Sequence, residues 1–179
     1  MSLDLDSKTA LDLRVALENG RARAQWGRQA WRCAIGRGAL SRHKEEGDGA
    51  TPVGRWPLRR VLYRADRHEA PRSAFPCTPI LADDGWCDDP ANAAYNQPVK
   101  LPFAASHERM VRDDGLYDVV VVLGHNDDPV VAGAGSAIFL HVARDDYGPT
   151  EGCVGLALPN LLTVLAEARP GSAVEVLAP

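Results

Sequence analysis

The sequence predicts a mainly β fold (α+β) with one main helix near the C-terminus, and three features carry that prediction. Period-2 alternation opens the chain, two near-continuous β-branched runs occupy its second half, and one amphipathic stretch is bracketed by helix start and stop signals. At 179 residues the chain suits one hydrophobic core, and no repeat, low-complexity stretch or linker divides it. Residues 1–179 are therefore expected to form a single domain.

In order, Leu11, Leu13, Val15 and Leu17 alternate with Asp12, Arg14 and Ala16, the pattern of a half-buried strand. "ENG" follows as a turn, because Asn-Gly accepts positive φ at little cost. Short strands are expected around Ala24–Trp26 and Ala30–Ile35. "GRGALSRHKEEGDGATPVG" is a long polar loop with five glycines, and "RWPLRRVLYR" returns to alternation. From Ala65 to Met110 the text is dense in Pro, Asp and Asn, and a loop region that long in a compact domain is expected to be functional. "LYDVVVVLG" and "GSAIFLHV" read as central strands covered on both faces. In "PNLLTVLAEARPG", Pro159 suits a first helical turn, Leu161, Leu162 and Leu165 make an apolar face, and Pro170-Gly171 ends it. "AVEVL" closes the chain as a strand.

Composition excludes several classes. No run approaches the ~18 apolar residues of a membrane span. No basic stripe interleaved with aromatics suggests nucleic acid, and the isoelectric point is acidic, about 5.7. "MSLDLDSKTA" lacks the basic start and apolar stretch of a secretory leader, so a cytoplasmic location is expected, or a periplasmic one if a leader has been removed. Four cysteines are too few for a disulfide scaffold; Cys77 and Cys87 could pair, but free thiols are expected. The net charge of −4 is unevenly placed: residues 1–75 hold 15 Lys/Arg against 9 Asp/Glu, and the remainder 5 against 15. Either the halves pack together and neutralise each other, or the basic half meets a carboxylate-bearing ligand.

The chemistry concentrates in "FLHVARDDYGPTEGCVGL". A free thiol has a pKa near ~8.5 and needs a base to become nucleophilic. His141 ends a predicted buried strand, from which an imidazole can be aimed. Gly152 lets the chain turn before Cys153 and present backbone N–H groups to an oxyanion. The alternative is that Cys153 and His141 are ordinary core residues.

His141 followed by Thr150, Gly152, Cys153 and Val154 resembles the active-site signature of the L,D-transpeptidase (YkuD) family, and "TPVG" at Thr51–Gly54 resembles its Thr-Pro-x-Gly. "KEEGDGATPVG" and "GWCDDPANAAYNQPV" look like features of a bacterial branch. The resemblance runs from about Gly36 to the C-terminus and implies an L,D-transpeptidase-like β-sandwich or barrel. It implies that Cys153 attacks the carbonyl of the L-centre of diaminopimelate in a peptidoglycan stem peptide. His141 serves as base and then acid, terminal D-Ala leaves, and the Gly152 and Cys153 amides hold the oxyanion. Water as acceptor makes an L,D-carboxypeptidase of murein recycling, which the absence of a visible leader favours. An amine acceptor makes 3–3 cross-links, and a non-catalytic peptidoglycan-binding protein is the alternative of another class. No cofactor is expected, and carbapenem-type inhibitors are plausible ligands.

Two positions depart from the family pattern: Glu151 replaces its second His, and Gly155 its Arg or Asn. Glu151 is expected to oppose the thiolate by like-charge repulsion, and is either a candidate for activating the attacking water or a solvated loop carboxylate. Asp145 and Asp146, or else a backbone carbonyl, would orient His141. Trp86, Cys87, Asp88, Asp89, Tyr95 and Asn96 either wall the substrate groove or simply make turns, with Trp86 anchoring the loop. A metal site at Cys87, Asp88 and Asp89 lacks any recognisable ligand spacing, and none is expected. Lys44 and Arg64 are candidates for meeting the stem peptide's carboxylates, and His43, His68, His107 and His125 are expected in polar loops.

Overall fold

The structure, a computed structural model, describes residues 10–179. The opening alternation becomes β1 (Leu13–Glu18), joined to β2 (Arg21–Trp26) by a tight hairpin. Its turn residues Asn19 and Gly20 both have positive φ, 51° and 74°, as Asn-Gly text predicts. Next come β3 (Gln29–Arg32), a minimal parallel pair β4 (Leu40–Ser41) and β5 (Thr51–Pro52), and the long β6 (Gly54–Tyr63). The stretch expected to be mostly loop holds four short strands: β7 (Cys77–Pro79), β8 (Asp84–Cys87), β9 (Pro98–Lys100) and β10 (His107–Arg109). The last three form a separate sheet in the order β10-β8-β9. Three or four residues per strand are too few to leave a period in the sequence, so only the turn text was visible there.

The two apolar runs become β11 (Val119–Leu123) and β12 (Phe139–Val142). They are followed by β13 (Val154–Leu156), helix α1 (Leu158–Glu167) and β14 (Ala173–Val176). The main sheet runs β13-β12-β11-β6-β14-β1-β2-β3, with β7 beside β6. Its two ends meet just past β3: Ala34 N–H donates to Gly155 O and Gly155 N–H to Ala34 O, both at 2.9 Å. That pair nearly closes the sheet into a barrel, leaving little unpaired edge.

Both faces of β11 are buried, as a continuous apolar run requires. Val119, Val121 and Leu123 join the main core with Leu13, Val15, Trp26, Leu140 and Val154. Leu161, Val164 and Leu165 of α1 complete that core. The indole of Trp26 ties the helix end to β2 by donating to Glu167 at 2.7 Å. Val120 and Val122 face the other way, into a smaller cluster with Phe139, Tyr117, Trp86, Met110 and Cys153. The excursion carrying β8–β10 roofs this second face.

The charge asymmetry is resolved by packing. Arg14, Arg37, Arg59 and Arg67 of the basic half pair with Glu175, Glu151, Asp127 and Asp118 of the acidic half at 2.8–3.0 Å. No helix among the described residues is long and apolar enough to cross a membrane.

Leu161 is fully buried between helix and sheet. The Leu161→Ala variant is expected to lose about 2–5 kcal/mol of unfolding free energy in urea melts, the usual cost of a core cavity. A loss below 1 kcal/mol would show that α1 is only peripheral to the core.

Candidate active site

Strand pairing sets the site. β12 and β13 run parallel with Leu140 opposite Val154 and His141 opposite Gly155. Leu140 and Val154 point into the main core, so by alternation Phe139, His141 and Cys153 share the opposite face. Cys153 and His141 are thus diagonal neighbours, within side-chain reach across one strand pair. Both line the same cavity, of about 190 Å³.

Each is held by the backbone. Phe139 N–H donates to Cys153 Sγ at 3.4 Å, and the thiol in turn faces Ala137 O at 3.2 Å. His141 Nδ1 lies 2.8 Å from Val142 O. A carbonyl only accepts, so Nδ1 carries the proton and Nε2 keeps the lone pair. The orienting group is therefore this backbone carbonyl, and neither Asp145 nor Asp146 takes that part.

Burial dominates the electrostatics. It pushes the Cys153 thiol up to about 12, with the nearby Glu108 carboxylate adding to the shift and the Phe139 amide opposing it. It also pushes His141 down to about 4, against a smaller upward pull from the Val142 carbonyl. The resting couple is a neutral thiol beside a neutral imidazole.

The turn before the thiol is tightly specified. Gly152 has φ +134°, and a Cβ there would lie 2.9 Å from Ala50 O. Thr150 Oγ1 accepts from Gly152 N–H at 3.1 Å and donates to Cys153 O at 2.6 Å, stapling the turn from inside. Thr51, from "TPVG", adds a longer bond to the same Cys153 carbonyl at 3.5 Å and accepts from Gly36 N–H at 2.8 Å.

A family description of the L,D-transpeptidase catalytic domain (YkuD) matches residues 7–176. The chain belongs to that family. Its members are enzymes of peptidoglycan-related acyl transfer. Among solved structures, the crystal structure of Mycobacterium tuberculosis L,D-transpeptidase 1 is similar at 12% identity with a TM-score of 0.40. That match covers 94% of this chain and 62% of the other, so the chain spans under two thirds of that relative's length. No curated protein matches the chain.

Within this L,D-transpeptidase-family site the sequence candidates separate into three groups. His141, Cys153, Thr150 and Glu151 line the cavity, as does Asp88 of the loop expected to wall the groove, with Gly152 in the turn behind it. Glu151, however, is 77% exposed and accepts from Arg37 Nε at 2.8 Å. The carboxylate that opposes the thiolate is Glu108, from a different strand, and this corrects the expectation placed on Glu151. Gly152 N–H is not bare but bonded to Thr150.

Trp86, Tyr95 and Asn96 form the framework behind the cavity and do not line it. Trp86 Nε1 donates to Asn96 Oδ1 at 3.0 Å, and its ring stands edge-on to Phe139 with centroids 5.0 Å apart. The same Asn96 oxygen accepts from Ala137 N–H at 3.0 Å, so the pair braces the segment that carries the thiol's partner carbonyl. Tyr95 donates to Glu46 at 2.5 Å.

Arg64 and Lys44 do not line the cavity, although the Lys44 charge reaches Cys153 and favours its thiolate. Arg64 is buried, clamped by both oxygens of Asp66 at 2.7 Å and donating to Arg112 O at 2.8 Å. Lys44 is paired with Asp48. With partners already in place, neither is free for a substrate carboxylate. Cys77 and Cys87 are both free thiols. His125, expected in a polar loop, is buried edge-on to Trp56. Among the described residues no group of three His, Cys, Asp or Glu is placed to hold a metal.

Reasoning from sequence missed Glu46, Glu108, Arg112, Tyr117 and Arg144 of the cavity wall. All five lie in loops or on a three-residue strand, and only the fold brings them beside "EGC". Tyr117, next to the "VVVV" run, was the one with a local signal.

The buried imidazole predicts an acid limb in stability. Folded His141 titrates near 4 against an ordinary 6.5, so between those values protons favour the unfolded chain. Its contribution is present above pH 6.5 and is lost as pH falls through 4, a difference of roughly 3 kcal/mol. His125, also held by burial near 4, adds in the same window. Urea melts of His141→Gln are expected to lose stability less steeply than the parent between pH 6.5 and 4. Equal slopes would refute the neutral, buried imidazole.

Proposed function

We propose that this protein is a cysteine-dependent acyl-transfer enzyme of peptidoglycan stem peptides, acting as an L,D-carboxypeptidase that converts tetrapeptide to tripeptide. The observation that carries the acyl-transfer reading is the Cys153–His141 couple, placed on one face by β12–β13 pairing with Nε2 unprotonated.

The steps follow from the resting geometry. As the scissile carbonyl enters, the thiol swings from Ala137 O and gives its proton to His141 Nε2 while Sγ attacks. With the thiol near 12 and the imidazole near 4, a standing ion pair is disfavoured, and transfer is coupled to attack. The Gly152 amide trades Thr150 Oγ1 for the developing oxyanion. The C–N bond then breaks, D-Ala departs with the proton from His141, and a thioester remains on Cys153. Arg144 lines the cavity and makes no ion pair among the described residues, which suits it to the terminal carboxylate of the stem.

Cavity size supports water as the acceptor. About 190 Å³ falls below the ~300–1,000 Å³ of typical ligand pockets. A cavity of that size favours a small acceptor over a second stem.

Incubation with disaccharide-tetrapeptide, alone and with a second stem, tests both parts. Free D-Ala and tripeptide are expected in each case, and Cys153→Ala should abolish release. Cross-linked dimer as the main product would replace hydrolysis by transpeptidation. No reaction in any mixture would overturn the stem-peptide reading.

A further inference from the structure

Glu108 and Tyr117 stand beside the Cys–His couple and take no part in the acylation derived above. Glu108 lies on β10, where it is paired with Trp86 of β8, and lines the cavity. One of its oxygens accepts from Tyr117 Oη at 2.8 Å, and the other has no hydrogen bond among the described residues. Tyr117 in turn is wedged edge-on against His141, centroids 5.4 Å apart, and against Phe139 at 5.9 Å. Phe139 is the residue whose amide holds Cys153 Sγ. One aromatic ring therefore indexes the carboxyl to both halves of the couple.

The sign of the interaction indicates which step Glu108 serves. A carboxylate near the thiol raises its pKa and so works against acylation. Once Cys153 carries an acyl group there is no thiolate to oppose, and the same carboxylate shares the cavity wall with it and has an oxygen to spare. Burial raises Glu108 above the usual carboxylate range; Asp88 and Glu46 push the same way, while the Tyr117 hydrogen bond and Arg112 pull it down. A base for water at neutral pH benefits from such a shift.

We propose that Glu108, positioned by Tyr117, is the general base that activates the hydrolytic water for the Cys153 acyl-enzyme. Its spare oxygen takes a proton from water as the water oxygen bonds to the thioester carbon. The C–S bond then breaks, and the departing sulfur takes that proton back from Glu108. Thioester and water become carboxylic acid and thiol, with no other reactant. Tyr117 is a positioning residue, acting only through Glu108 and His141. This assignment rests on the acyl-transfer reading above and concerns its second half alone.

Rapid-quench intact-mass measurements with disaccharide-tetrapeptide separate the two halves. The parent should show little acyl-enzyme in the steady state. Glu108→Gln should release the first equivalent of D-Ala at least as fast as the parent, since the charge opposing the thiolate is gone. Its turnover should then fall by ~10²–10³-fold, the usual size of a general-base contribution, with the stem-acyl mass accumulating on Cys153. Glu108→Asp should recover part of the turnover. Tyr117→Phe, which removes a donor that lowers the carboxyl, should move the acid limb of the deacylation rate to higher pH. Glu108→Gln that turns over like the parent, or that slows both halves equally, overturns the assignment while leaving acyl transfer intact. Should Glu108→Gln not fold, an unmoved limb in Tyr117→Phe overturns it. A parent that never acylates Cys153 overturns the acyl-transfer reading and this assignment together.

Discussion

The parallel pairing of β12 with β13 is the constraint on which the rest depends. With Leu140 opposite Val154, one side of the pair feeds the main core and the other carries His141 and Cys153. A slip of one residue would turn Cys153 into the core and bring Val154 to the cavity, because side chains alternate strictly along a strand. The register is held from several directions at once. Thr150 and Thr51 both bond the Cys153 carbonyl, and Ala34 exchanges two hydrogen bonds with Gly155. The bonds that close the barrel therefore also fix Cys153.

That closure gives a physical account of Gly155, one of the two departures from the family pattern. Gly155 stands directly opposite His141, and a Cβ there would come within 3.2 Å of both Ala34 and Ala143. Ala34 and Ala143 themselves line the cavity. A longer side chain at 155 would therefore have to push Ala34 or Ala143 aside. Arg112 and Arg144, from other segments, supply positive charge to the same cavity instead.

The legible part of the molecule was whatever is local in sequence. β1, β6, β11, β12, α1 and β14 each carry a period or a run long enough to announce themselves, and Asn19-Gly20 announces its own hairpin. His141 and Cys153 were legible because motif and strand end coincide. β13 was not: three residues after a Gly-Cys turn leave no pattern, and their strand character comes from Leu140 and Val142 alongside. The substrate-facing cations were misplaced for a related reason. Arg64 and Lys44 sit near glycine-rich or strand-end text, but ion pairing with Asp66 and Asp48, two and four residues on, had already engaged them. Trp86 and Asn96 carried two readings, groove or anchor, and their mutual hydrogen bond decides for the anchor.

The two glutamates show most clearly where a sequence stops informing. Glu151 is two residues from the thiol along the chain, yet it points outward to Arg37 because Gly152, at φ +134°, redirects the backbone between them. Glu108 is 45 residues away along the sequence, yet strand pairing through Trp86 and Cys87 delivers it to the cavity wall. A carboxylate's influence on a neighbouring titration falls with distance through space and rises with shared burial, so the nearer one in sequence is the weaker. An exposed, ion-paired Glu151 is screened by solvent and by its arginine. A buried Glu108 held by a phenol is not, and its charge reaches the Cys153 thiol. The carboxylate that reaches the thiol thus comes from outside the "TEGC" motif and not from within it.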